Sequence, residues 1–179
     1  MTKRSLARLA AAFAFALPLH AQAALFLDGP TTVTPGQTFL LGIGLDEALR
    51  AEIDDLLLAV EFDAAVLSGQ NASAGSLLGS GSFLANAAAG LATHSFPMAL
   101  AQLGPGGLAT WTLAVHPAAV PGTTTAVRAT LTTFVFDSDP TAMLSAGPLT
   151  ITVVPEPSSA ALLLAGLALV GGLAALRRR

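Results

Sequence analysis

The stretch Ala109–Val115, ATWTLAV, decides the fold. Trp111, Leu113 and Val115 alternate with Thr110 and Thr112. Successive side chains of a β-strand point to opposite faces, so this spacing puts the apolar residues on one side and the threonines on the other. The same period of two runs through AVRATLTTFVF, where Val127, Ala129, Leu131 and Val135 oppose Arg128, Thr130 and Thr132. It returns in LTITVV, with Leu149, Ile151 and Val153 against Thr150 and Thr152, and Thr38–Leu45 reads as a more buried strand. The breaks TPGQ, GPGG and VPGTT carry the glycine and proline that turns require. These patterns predict an all-β fold of half-buried antiparallel strands.

Two stretches resist that reading. In DEALRAEIDDLLLAVEFDAAVL, Leu45, Leu49, Ile53, Leu56 and Val60 fall at helical spacing, while Leu56, Leu58, Val60 and Phe62 alternate as a strand. We expect a short helical or irregular turn near Glu47 to Ala51 and a strand from about Asp55. From about Ser68 to Leu100 the residues are small and polar, which predicts a long connection or short strands on a sandwich edge.

The two ends of the 179-residue chain are of another kind. Residues 1–23 hold Lys3, Arg4 and Arg8, an apolar run from Leu9 to Leu19, and then Ala21-Gln22-Ala23. That is the order of a cleavable secretory signal peptide, with Ala21 and Ala23 read by the peptidase and Ala24 as the new terminus. The alternative is an uncleaved anchor, but eleven apolar residues containing Pro18 are short for a span. Export implies signal peptidase and the secretion machinery as partners.

At the other end, Ser158 to Leu176 is a run of 19 residues without a charge, followed by Arg177, Arg178 and Arg179. A helix over 158–176 reaches roughly 28 Å, close to a hydrocarbon core of about 30 Å. A basic cluster stays on the cytoplasmic side, so the expected topology is passenger outside and arginines inside. Pro155-Glu156-Pro157 precedes the run; prolines remove backbone donors and hold the glutamate extended where an enzyme can grip it. Tripeptide, apolar helix and terminal arginines in this order resemble the PEP-CTERM sorting signal of Gram-negative bacteria, here residues 155–179. The resemblance implies recognition of Pro155, Glu156 and Pro157 by a membrane-embedded exosortase that processes the tail. It also implies tethering to the inner membrane with the passenger in the periplasm, then delivery to the cell surface or an exopolysaccharide matrix.

The passenger, residues 24–154, has only Arg50 and Arg128 as basic residues against ten acids, which leaves a net charge of −8. A lysine-free acidic domain is a poor match for DNA, RNA or anionic lipid, and nucleic acid is excluded as a partner. The chain has no cysteine, so disulfides, thiol nucleophiles and thiolate metal sites are excluded, and core packing alone must stabilise the domain. The order of its elements resembles the cohesin-type domain of exported bacterial proteins. The carriers are TVTPGQTFLLGIGL, EFDAAVL at Glu61–Leu67 and PGTTTAVRATLTTFVF before a final short strand. That family usually has a proline after its aromatic–Asp pair; here Ala64 and Ala65 stand there. The resemblance implies a jelly-roll-like antiparallel β-sandwich of cohesin or carbohydrate-binding-module type, with a dockerin-like protein or a glycan as ligand.

Catalytic signals are sparse. His94 and His116 are the only histidines beyond the signal peptide; His116 reads as an exposed loop residue and His94 as equally plain. No GxSxG occurs, and Asp54 and Asp55, adjacent in a strand, would point to opposite faces rather than share a glycoside substrate. Asp137 and Asp139 in FDSDPT offer a partial Ca²⁺ site of oxygen ligands, without the glycine and glutamate of an EF-hand. Gly42-Ile43-Gly44 lies within a strand and makes no nucleotide loop. Trp111 shares a face with core residues, which argues against a sugar platform. No catalytic residue and no cofactor is assigned. The reading is therefore a non-enzymatic envelope or matrix protein, with an adhesive binding module as the alternative and a hydrolase as the least supported.

Overall fold

The computed structural model describes residues 23–79, 81–135, 140–156 and 166–167. Two proline–glycine corners set the strand ends. In Thr34–Gln37 and Val120–Thr123 the fourth amide donates to the first carbonyl, at 3.1 Å in both turns. Their third residues, Gly36 (φ 77°) and Gly122 (φ 93°), take the positive φ of a type II turn that an L side chain resists.

The described residues form ten strands. In order they are β1 (Leu25–Asp28), β2 (Thr32–Val33), β3 (Thr38–Leu45), β4 (Ile53–Glu61) and β5 (Leu67–Ala74). β6 (Ser82–Asn86), β7 (Leu91–Leu100), β8 (Gly106–Val115), β9 (Thr124–Phe134) and β10 (Ala142–Val153) complete the set. They build a four-stranded sheet, β1-β3-β8-β5, and a six-stranded sheet, β2-β10-β9-β4-β7-β6. All pairings are antiparallel except β2 with β10, which run parallel through Thr32–Thr152 and Val33–Val153. The expected antiparallel sandwich is present, with that one parallel edge.

The alternation read from the sequence is the core. Trp111, Leu113, Leu41 and Ile43 of the smaller sheet face Leu56, Leu58, Val127 and Leu131 of the larger, all of them buried. The DEALR stretch is irregular, as expected. It is held by a bridge in which Leu49 and Leu103 exchange amide–carbonyl bonds of 2.8 Å, and the following strand begins at Ile53, two residues earlier than expected. EFDAAVL turns without the proline: the Asp63 carboxylate accepts from the Ala65 amide at 2.9 Å, and the Asp63 carbonyl accepts from Val66 and Leu67.

Of the two alternatives for Ser68–Leu100, the strands are present and the long connection is not: β5 and β6 are edge strands of the two sheets, while the ten-residue β7 is longer than expected and lies inside the larger sheet between β4 and β6. Small residues blur these strands because close backbone approach packs them. A Cβ on Gly69 would meet the Ala87 carbonyl oxygen at 1.9 Å, so the 3-10 turn Ala87–Ala89 sits directly on β5.

Trp111 is the largest fully buried side chain. Trp111→Ala should cost about 3–5 kcal/mol by the usual penalty for emptying an aromatic core site. Urea unfolding checks this: a fall in midpoint with unchanged slope is expected, and a loss under about 1 kcal/mol would show that the sheets do not depend on this contact.

Candidate functional site

No catalytic constellation is assembled among the described residues, and no group of three or more His, Asp or Glu side chains is placed to hold a metal. Asp54 is buried at the irregular start of β4 while Asp55 is half-buried on the next position, so the two carboxylates do not converge. Asp137 and Asp139 lie outside the described residues. The described residues on either side are tied together: Thr133 Oγ1 and Thr141 Oγ1 are 2.9 Å apart, and Thr141 Oγ1 donates to the Glu52 carbonyl at 3.1 Å.

The histidines part company. His116 is half-exposed at the end of β8, its Nε2 3.1 Å from the Ala64 carbonyl, tying the loop after β8 to the turn before β5. His94 is not plain. It is 1% exposed and faces the space between the sheets. Its ring meets Phe96 edge-on at 4.5 Å and lies 6.5 Å from Phe83. Neither ring nitrogen has a hydrogen-bond partner among the described residues. Burial pushes its imidazole below the ordinary value, while the Leu78 backbone and the Asp55 carboxylate pull the other way. The inward position on β7 was invisible in the sequence because its inward neighbours, Ala92 and Phe96, alternate with small polar residues.

The largest candidate surface is the outer face of β6-β7-β4-β9-β10. Strand register lines up Leu84, Thr93, Leu57, Thr132 and Met143 in one row across the sheet. The next row holds Asn86, Leu91, Ala59, Thr130 and Ser145. Leu84 is 68% exposed and Met143 65% exposed, and neither row carries a charge. Between them, Leu57, Leu84, Leu91 and Thr93 line a shallow depression of about 360 Å³. Charges appear only at the ends of this face, with Asp55 at one and the cross-strand pair Glu61–Arg128 at the other. A second depression, of about 390 Å³, lies between Arg50, Glu52 and Leu100.

Both ends of the domain are fastened. Ala23 is buried, and the Ala24 amide donates to Asp46 Oδ1 at 2.7 Å; Ala21 lies outside the described residues. At the other end Val153 is fully buried and the Val154 amide donates to the Val33 carbonyl at 2.7 Å. Pro155 and Glu156 follow at once and are exposed. Pro157, most of 158–176 and Arg177–Arg179 lie outside the described residues; Gly166 and Leu167, which are described, are helical. Among the described residues no helix is long and apolar enough to cross a membrane.

Residues 153–179 match the PEP-CTERM protein-sorting motif. The match takes in the Pro155-Glu156-Pro157 corner and the terminal arginines together. The sandwich is similar to solved cohesin modules. One is the sixth cohesin of Acetivibrio cellulolyticus scaffoldin B, solved in complex with a Cel5 dockerin mutant: 16% identity, 74% of this chain and 99% of that one, TM-score 0.57. A cohesin module from a Clostridium perfringens family 33 glycoside hydrolase gives 10% identity over 75% and 98% of the chains, TM-score 0.56. A non-cellulosomal cohesin from Archaeoglobus fulgidus gives 13% identity over 78% and 96%, TM-score 0.54. At such identities the likeness establishes the fold, which is cohesin-like. No curated protein matches the chain.

His94 makes stability depend on pH. Its folded pKa is lowered, so below about pH 6.5 the unfolded chain takes up protons that the folded domain refuses, and stability falls with pH until the folded pKa is passed. Thermal unfolding from pH 8 to 5 should show His94→Phe losing less stability than the parent across this window. Parallel profiles for the two proteins would contradict the assignment.

Proposed function

We propose that this chain is an exported, non-enzymatic protein of the cell envelope or extracellular matrix. Its tail holds it in the inner membrane until an exosortase-like enzyme processes it. The observation that carries this reading is the sorting motif joined directly to a closed sandwich core at Val153. The N-terminal segment 1–23 acts as the signal peptide, the 158–176 helix positions the tail, and Arg177–Arg179 fix its orientation. Cleavage after Ala23 leaves the new amino group of Ala24 within hydrogen-bond reach of Asp46.

The uncharged outer face favours a second reading of the passenger itself, as an adhesive module for a protein partner. Exposed Leu84, Leu91 and Met143 around a half-buried Leu57, interleaved with threonines and framed by charge only at the ends of the face, make the composition of a docking surface. The cohesin-like fold supports it, since the Acetivibrio neighbour was solved bound to a dockerin. A glycan is less suited: Trp111, the one tryptophan, is fully buried and no aromatic platform is offered on this face.

Replacing Pro155, Glu156 and Pro157 by alanine should leave export intact and block tail processing, seen as retention of the full-length species on immunoblots of envelope fractions. Unchanged processing would remove the sorting role. For the passenger, Leu84→Arg with Leu91→Arg should abolish saturable capture of a partner from envelope extract while leaving the melting temperature nearly unchanged, because both side chains are exposed. Capture that survives both changes would move the binding surface elsewhere.

A further inference from the structure

The two ends of the chain leave the sandwich at opposite poles. β1 enters beside the end of β3, where Leu25 pairs with Leu45, and β10 leaves beside the start of β9, where Thr152 pairs with Thr124. The exit pole gathers three loops. Residues 34–37 reach it through the Gly36 amide, which donates to the Val115 carbonyl at 3.2 Å. Residues 62–66 are tied to it by the His116 amide, which donates to the Val66 carbonyl at 2.9 Å. Residues 116–123 border the exit itself, since the Gly122 amide donates to the Val153 carbonyl at 2.7 Å.

The chemistry of the poles differs. The exit pole exposes Pro117, Ala118, Val120 and Pro121 in one loop, with Ala64 and Ala65 beside it; Val120 is 67% exposed. Its charges are Glu61, opposite Arg128, together with Asp63, whose carboxylate accepts from Ala65, and Glu156 of the exit segment itself. The entry pole carries Asp46, Glu47, Glu52, Asp54 and Asp55 around the single Arg50.

Tether length then decides how the domain stands. From Val153, the last core residue, to Ser158, where the uncharged run starts, five residues extended span at most about 17 Å. The headgroup layer on one side of a bilayer takes up roughly 5–8 Å of that, and the remainder is about one screening length at physiological salt. The exit pole is thereby confined at the lipid surface, and the acidic entry pole is pushed away from an anionic one.

We propose that the exit pole, with the 116–123 loop at its centre, is a membrane-contacting surface that rests on the headgroups and holds the sandwich upright. This rests on the tail acting as a membrane anchor. The charge of the domain is unsuited to attracting lipid; contact comes instead from the short tether and from apolar loop side chains settling at the interface. The outer face of β6-β7-β4-β9 then stands roughly perpendicular to the membrane, open to a partner approaching from the side.

The chain has no cysteine, so single labels can be placed without background. The full chain carrying Val120→Cys or Glu47→Cys, each labelled with a fluorophore, is reconstituted into phosphatidylethanolamine–phosphatidylglycerol vesicles containing a headgroup-borne quencher. Flotation is measured first. Co-flotation with several-fold stronger quenching of the Val120 label than of the Glu47 label is expected, and adding Ala118→Asp should reduce that difference. Co-flotation with equal quenching at both positions overturns the upright arrangement while leaving the anchor intact. Failure to float overturns the anchor and this proposal together.

Discussion

No disulfide staples the two sheets together, because the chain has no cysteine. The fold therefore depends on one contact: the inward row of β3 and β8, centred on Leu41 and Trp111, against the inward row of β4 and β9, centred on Leu58 and Leu131. Each of these side chains is at most 1% exposed, and apolar burial of this kind is worth roughly 1.5–3 kcal/mol per large side chain. The irregular DEALR segment, the Asp63 turn and both chain ends are positioned by strands that this contact orders. Without disulfides, packing across the sheets carries what a covalent staple would otherwise add.

That dependence explains what the sequence made legible. Strands whose inward residues are large and outward residues are threonine, such as 109–115 and 149–153, are written as plain alternation. The Pro-Gly corners at Pro35 and Pro121 mark where they end. β5, β6 and β7 were legible only as one of two alternatives, because glycine, alanine and serine pack there through backbone proximity, as at Gly69 against Ala87, and leave a weak periodic signal. His94 was misread for a related reason. A polar residue in an inward position looks like a surface residue until Phe83 and Phe96 are seen on either side of it. The sorting corner was fully legible, since its meaning lies in residue order and not in three-dimensional convergence. The uncharged outer face was not: Leu57, Leu84 and Leu91 come from three strands and meet only through register.

The domain and its tail make a single device. The last core residue, Val153, and the first residue of the sorting corner, Pro155, are separated by Val154 alone, whose amide is itself bonded to β2. On the proposed reading, an enzyme that grips the corner works against a folded wall, with Val154 alone between the sandwich core and the tripeptide. The two parts then serve different ends, the sandwich presenting an uncharged face and the tail deciding where it is presented.

The central claim is that the tail is a label that is read and removed. The intact mass of the protein recovered from its native host, with envelope and released fractions measured separately, tests it most directly. The account predicts a released species that begins at Ala24 and ends between Pro155 and Ser159, with any added mass marking an attached group. A species that still ends at Arg179 in every fraction would contradict it and make the tail a permanent anchor.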